Sequence, residues 1–195
     1  MTFGPSSWLI RAGQWNMAKI YIAYGSVEGQ TAQIAEYMAE HIRARGHQAE
    51  TADLLHSGDT LAGGYDGVIV AASVHVGKHE GYVADFVRKN LGELKRLPSA
   101  LISVSLAAHG DEENAESYVT KFEEETGWRP AQVGMFGGAL LYTHYNFLKR
   151  HMMKKIAKDK GSRDLDTSRD YVYTEWDGVK RFVEDFLAGL PAPRA

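Results

Sequence analysis

Apolar and polar positions along this chain follow two rhythms that alternate. Lys19-Ile20-Tyr21-Ile22-Ala23-Tyr24 is a short β-rich run that leads at once into a glycine-bearing loop. Ile34, Met38 and Ile42 then recur every fourth residue, which predicts a helix from about Thr31 to Arg45 with one buried stripe. Gly46 supplies its stop. Gln48 to Leu54 reads as a second short strand. Val68-Ile69-Val70-Ala71-Ala72 is continuously apolar, as a strand covered on both faces should be. Val83, Val87, Leu91 and Leu94 predict the next helix, and Ala100 to Val104 another buried strand after Pro98. Ala115, Tyr118, Val119 and Phe122 mark a further helix. Gln132 to Leu141 is expected as the fifth strand, softened by Gly134, Gly137 and Gly138. The last helix carries Val179, Phe182, Val183, Phe186, Leu187 and Leu190. Strands alternating with helices predict an α/β fold, a parallel sheet between helical layers. Ligands in such sheets sit at the carboxyl ends of the strands. The loops after strands one, three and four are therefore the places to search.

Composition narrows the function classes. The 195 residues make one ordinary domain, large enough for a real core. Lys+Arg is 22 against Asp+Glu 25, a net charge of -3, which argues against nucleic-acid binding by the whole domain. Cysteine is absent, so disulfides, thiolate metal sites and a cysteine nucleophile are excluded. This fits a reducing cytoplasm. No apolar run is long enough to span a bilayer. Residues 1–16 lack the apolar core and cleavage site of a secretory signal. Met17 directly precedes the first strand, so the native domain is expected over residues 17–190. Residues 1–16 are then a dispensable leader and 191–195 a tail. The alternative is an ordered arm using Trp8 and Trp15.

The loop Ser26-Val27-Glu28-Gly29-Gln30-Thr31 opens directly into the first helix. A helix start offers unpaired N–H groups and the positive end of its dipole, and the Ser26 and Thr31 hydroxyls can add bonds to phosphate oxygens. Gly29 permits a tight turn. The Walker pattern and the G-x-G-x-x-G dinucleotide pattern are both missing. A monophosphate bound without a lysine points to FMN. Glu28 is awkward, since a carboxylate repels phosphate. Its side chain is expected to point to solvent. An ordinary βα turn with a Ser/Thr cap is the competing reading.

The other ligand loops are Ser73-Val74-His75-Val76-Gly77 and Ser105-Leu106-Ala107-Ala108-His109-Gly110. Both are rich in small residues whose backbone can face a flat ring. His75, His79 and His109 lie at these strand ends. They lack metal-ligand spacing, and no metal is expected. They read either as polar contacts to a flavin or an acidic substrate, or as solvated loop side chains.

Several further motifs occur in order. They are Gly25-Ser26-x-x-Gly29-Gln30-Thr31, Ala72-Ser73-x-x-x-Gly77, Pro98-Ser99-Ala100, Trp128-Arg129-Pro130, Gly138-Ala139-Leu140-x-Tyr142 and Val172-Tyr173-Thr174-x-Trp176. Together they resemble the menaquinone-dependent protoporphyrinogen dehydrogenases of bacterial haem synthesis, from about Met17 to Leu190. The resemblance implies a flavodoxin-like, doubly wound sheet of five parallel strands in order 2-1-3-4-5. It implies FMN as cofactor, protoporphyrinogen IX as substrate, and menaquinone or another membrane quinone as electron acceptor. It carries Ser26 to Thr31 over to the phosphate, and the Ser73–Gly77 and Ser105–Gly110 loops to the ring. It identifies no catalytic acid or base, because the flavin carries the chemistry. The ring loops hold no tryptophan, and their nearest tyrosine is Tyr82. That openness favours an enzyme over an electron carrier. The acidic run Asp111-Glu112-Glu113 would repel substrate propionates if it faced inward. A flavodoxin-type carrier and an NAD(P)H-dependent quinone reductase are the alternatives on the same fold.

An inserted basic segment follows strand five, from Tyr145 to Lys160. Tyr145, Leu148, Met152 and Ile156 share one helical face, with Lys149, Arg150, Lys154, Lys155 and Lys158 around it. Such a helix reads as membrane-surface or partner-binding. A helix packed on the domain with a solvated basic face is the other reading, and Phe147 lies off the stripe. The docking reading places this helix, with Tyr142, Thr143 and His144, at the substrate entrance on an anionic membrane. It implies a cytoplasmic protein, peripheral on the inner face of the cell membrane.

Overall fold

The computed structural model describes residues 17–159 and 164–191. The expected leader, with Trp8 and Trp15, lies outside the described residues, as do Lys160 and most of the tail.

The alternating strand residues sort into two cores. In β1 (Lys19–Gly25), Ile20 and Ile22 face one side and Tyr21 and Ala23 the other. The same division holds in β3 (Gly67–His75) and β5 (Ser99–Ser105), because side chains alternate across a strand. One face is covered by α1 (Gln30–Ala44) and α6 (Trp176–Ala188), which bury Ile34, Met38, Ile42, Val179, Phe182, Val183 and Phe186. The other is covered by α2 (Gly81–Lys89), α3 (Leu91–Arg96) and α4 (Glu112–Thr126). With β2 (Gln48–Asp53) and β6 (Gln132–Gly137), the parallel path runs β2-β1-β3-β5-β6. This is the expected order of five strands. The sixth strand of the main sheet, β4 (Lys78–His79), pairs antiparallel with the end of β3.

Three local expectations are corrected. The fifth strand does not run unbroken to Leu141. β6 ends at Gly137, and β7 (Ala139–Leu140) turns away to pair antiparallel with β8 (Tyr171–Val172). The cause is a close crossing, since a Cβ on Gly137 would lie 2.5 Å from the Tyr173 carbonyl oxygen. The helix expected through Val83 and Leu94 is two helices. Asn90 sits between them, its side-chain amide donating to the Phe86 and Asp59 carbonyls and its Oδ1 accepting from the Leu61 N–H. Residues 73–81, expected as loop, form a hairpin whose turn has Val76 at φ 49° and Gly77 at φ 78°. Two positive φ angles suit a tight hairpin turn, and on a β-branched residue this is a strained conformation.

The inserted segment builds its own small core. A 3-10 turn (Tyr142–His144) precedes α5 (Phe147–Asp159). Leu140, Tyr142, Tyr145 and Ala157 are buried together, with Met153, Tyr171 and Tyr173 against them. The expected stripe is therefore split. Tyr145 is buried ahead of the helix, whereas Leu148, Met152 and Ile156 are exposed because α5 seats on Met153 and Ala157.

Candidate active site

The carboxyl ends of β1, β3 and β5 meet in a cleft of about 330 Å³, within the range of small-ligand sites. Its polar end is the loop after β1. Gly29 caps α1 at φ 91°, a conformation that favours glycine, and its N–H donates to the Ser26 hydroxyl at 3.1 Å. No acidic side chain lies in the first turn of α1, which leaves that helix end electropositive. The Gln30 side chain is buried. Its Nε2 donates to the Thr174 hydroxyl (2.9 Å), which donates to the Gly137 carbonyl (2.6 Å). The loop is thereby tied to the end of β6.

Of the sequence-expected residues, Ser26, Glu28, Gln30, Thr31 and Ser73 through Gly77 line the cleft, as do Ser105, Leu106 and Ala107. Val27, Gly29, Ala108, His109 and Gly110 lie outside its lining. His109 stacks on Tyr173, with ring centroids 4.5 Å apart. His79 is not a loop side chain at all. It is buried, 2.9 Å from the Ser103 hydroxyl, and burial pushes its pKa down to about 4. Tyr142 is fully buried in the small core, and His144 lies on the surface near Asp170. Asp111, Glu112 and Glu113 are not in the cleft lining, so the feared repulsion of an acidic ligand does not arise from its walls.

Another wall includes residues of the inserted helix, which the docking reading expects at the substrate entrance. Val104, Met152, Met153 and Ile156 make it apolar, and Tyr118 of α4 stands beside the 73–77 turn. Tyr118 shared a helical stripe with core residues, so nothing local marked it as a cleft residue.

Glu28 does not point to solvent. Its carboxylate accepts a hydrogen bond from the Tyr145 phenol and pairs with the Lys149 ammonium at 2.8 Å. That ammonium also lies 4.6 Å from the centre of the Tyr145 ring. Burial first, then the Glu28 carboxylate, push the Tyr145 phenol far above its ordinary range, so it stays protonated as a donor. Glu28 was expected outside because a carboxylate repels phosphate, whereas the segment that pairs with it lies far along the chain. Arg150 also turns inward, giving 2.9 Å bonds to the Tyr142 and Tyr145 carbonyls. Lys154, Lys155 and Lys158 are exposed.

A flavin was the expected cofactor, and the cleft can be tested for it. The Ser73 hydroxyl and Gln30 Oε1 are buried in the cleft lining, and each lacks a hydrogen-bond partner among the described residues. Buried polar atoms rarely stay unpaired in a finished structure. A flat heteroaromatic ligand with donors and acceptors on its edge suits such a lining, and the loop before α1 suits its phosphate.

Residues 21–166 match the family model described as flavodoxin domain. A protein of Escherichia coli (strain K12) named protoporphyrinogen IX dehydrogenase [quinone] is 34% identical over 170 residues, covering 86% of this chain and 93% of its own. One of the same name from Leishmania major is 31% identical over 188 residues, covering 91% of this chain and 80% of its own. This chain belongs to the protoporphyrinogen IX dehydrogenase family of flavodoxin-domain oxidoreductases. Among solved structures it is similar to oxidised flavodoxin 1 from Bacillus cereus, at TM-score 0.54 and 14% identity, covering 89% of this chain and 100% of that one. A Streptococcus pneumonia flavodoxin gives TM-score 0.53 at 14% identity, over 89% of this chain and 100% of that one. At that identity the likeness speaks for the fold alone.

In this dehydrogenase-family chain, the motifs that carried the resemblance meet in pairs. The Trp128 indole N–H donates to the Ser99 hydroxyl at 3.3 Å, joining Trp128-Arg129-Pro130 to Pro98-Ser99-Ala100. The strands of Gly138–Leu140 and Val172–Thr174 pair with each other and hold Gln30 from behind.

Proposed function

We propose that this protein oxidises protoporphyrinogen IX to protoporphyrin IX with FMN as cofactor, passing the electrons to menaquinone or another membrane quinone in haem synthesis. The observation that carries the reading is the cleft. It joins a phosphate-type helix start and buried polar atoms without partners among the described residues to an apolar wall from the inserted segment. Bound flavin would supply the hydride-accepting chemistry. The chain does the rest. The Ser26 and Thr31 hydroxyls and free N–H groups of the loop would hold the phosphate. The 73–77 and 105–107 segments would flank the ring. Met152, Met153 and Ile156 exclude water from an apolar substrate.

The test is anaerobic appearance of porphyrin fluorescence from protoporphyrinogen IX, using FMN-loaded protein with and without a menaquinone analogue. Quinone-dependent fluorescence that is absent without FMN supports the reading. Reducible bound FMN with no fluorescence above the protein-free control rejects it, in favour of an electron carrier or an NAD(P)H-dependent quinone reductase.

The same reading places the protein on the anionic inner face of the cell membrane, where quinone resides. α5 exposes Phe147, Leu148 and Met152 together with Lys154, Lys155 and Lys158. Among the described residues no helix is long and apolar enough to cross a membrane, so attachment would be peripheral. Anionic lipid attracts each nearby lysine by about 1 kcal/mol, so replacing these three by Gln is expected to weaken binding to anionic vesicles on the order of a hundredfold. Arg150 is left intact because it bonds the turn beneath α5, and Lys149 because it lies in the cleft, paired with Glu28. Equal sedimentation of wild type and variant with phosphatidylserine vesicles would reject docking through α5.

A further inference from the structure

Among the described residues that line the cleft, Lys149 is the lone lysine or arginine and Glu28 the lone carboxylate, and the two are paired. The pair is only partly buried, with the Lys149 side chain 35% and that of Glu28 16% exposed. Such a pair keeps contact with solvent, so a second carboxylate of similar geometry can take the place of the first. Tyr145 makes the exchange easier. Its phenol donates to the other oxygen of Glu28, so that carboxylate keeps a partner when Lys149 leaves. Arg150 cannot play this part, because both of its described bonds hold the turn beneath α5. Lys149 thus stands as one exchangeable cation beside an apolar wall of Met152, Met153 and Ile156. That arrangement suits a ligand with a broad apolar body and a peripheral carboxylate.

We propose that Lys149 is the carboxylate-recognising residue of the cleft, held by Glu28 as a resident counter-ion until a propionate of the tetrapyrrole takes its place. The inference rests on the substrate reading above. It adds a specificity residue and a reason for an acid in the phosphate loop. Glu28 keeps the ammonium folded against Tyr145 rather than extended into the space the flavin phosphate would occupy.

The experiment measures binding of protoporphyrin IX and of its dimethyl ester to FMN-loaded protein by absorbance and fluorescence titration. FMN affinity is measured in parallel on each variant. Losing one charge-assisted contact, Lys149→Met is expected to weaken the free acid roughly five- to tenfold and to leave the ester unchanged. Lys149→Arg restores the free acid. Glu28→Gln releases the cation and tightens the free acid by roughly two- to fivefold. Three results overturn the proposal. If Lys149→Met weakens FMN instead of the porphyrin, the ammonium serves the cofactor phosphate. If acid and ester weaken together, Lys149 is a structural tie. If Glu28→Gln weakens the free acid, Glu28 is no placeholder. Failure of the wild type to bind either porphyrin would reject the substrate reading itself, and this inference with it.

Discussion

Between pH 6.5 and 4 the protein without flavin is expected to lose roughly 3 kcal/mol of stability through one side chain, His79. The ring is 5% exposed, accepts or donates one bond to the buried Ser103 hydroxyl, and packs 4.7 Å from the Phe122 ring centroid. Burial penalises the imidazolium and lowers its pKa from 6.5 to about 4. The unfolded chain keeps the ordinary value, so in that window it binds more protons than the folded one. The contribution is therefore complete above pH 6.5 and disappears as pH falls toward 4. Urea denaturation at a series of pH values checks this. His79→Gln keeps a partner for Ser103 and removes the titration, so its stability should change less steeply over the same window. An identical slope in wild type and variant would show that His79 is not the group responsible. Because His79 pairs with Val74 in the hairpin that walls the cleft, flavin release should follow the same acid transition.

Trp128→Ala is expected to cost roughly 3–5 kcal/mol, a large fraction of the stability of an ordinary domain. Trp128 is 1% exposed and is among the largest fully buried side chains. It follows Gly127, which ends α4 at φ 68°, and it fills the space between α4 and the start of β5. Ser99 keeps its own bond to the Leu94 carbonyl (2.6 Å) in the variant, so the loss comes from the cavity rather than from an orphaned hydroxyl. Trp128→Phe should retain much of the packing and cost less than half as much. A loss below about 1 kcal/mol for the alanine variant, read from urea denaturation followed by circular dichroism, would contradict the packing account.

The strand and helix order was legible because it depends on local periodicity. Val68 to Ala72 is apolar throughout since both faces of β3 are covered, and Ile34, Met38 and Ile42 recur at helical spacing since one face of α1 is covered. The glycine-bearing turn at residues 26–31 that runs straight into α1 was legible for the same reason.

Other features needed contacts between distant segments. His79 lies two residues from Gly77 at a turn, and no neighbour in sequence marks it as buried. Only Ser103 and Phe122 do so. Gln30 belongs to the loop in sequence, yet its side chain reports to Thr174. The sequence places Tyr145, Leu148, Met152 and Ile156 on one face of the inserted helix, for docking or for packing on the domain. Packing instead chose Met153 and Ala157, a different side of the same helix, because Tyr142, Tyr145 and Tyr171 had already formed the seat.

The sequence by itself therefore determined the layers, the succession of strands and helices along the chain and the glycine-bearing turn before α1, all properties carried by spacing along a short stretch of chain. Tertiary structure alone decided which wall closes the cleft and what becomes of the Glu28 charge. Both depend on a segment more than a hundred residues away, which turns off at Gly137 and meets the loop through Tyr145 and Lys149.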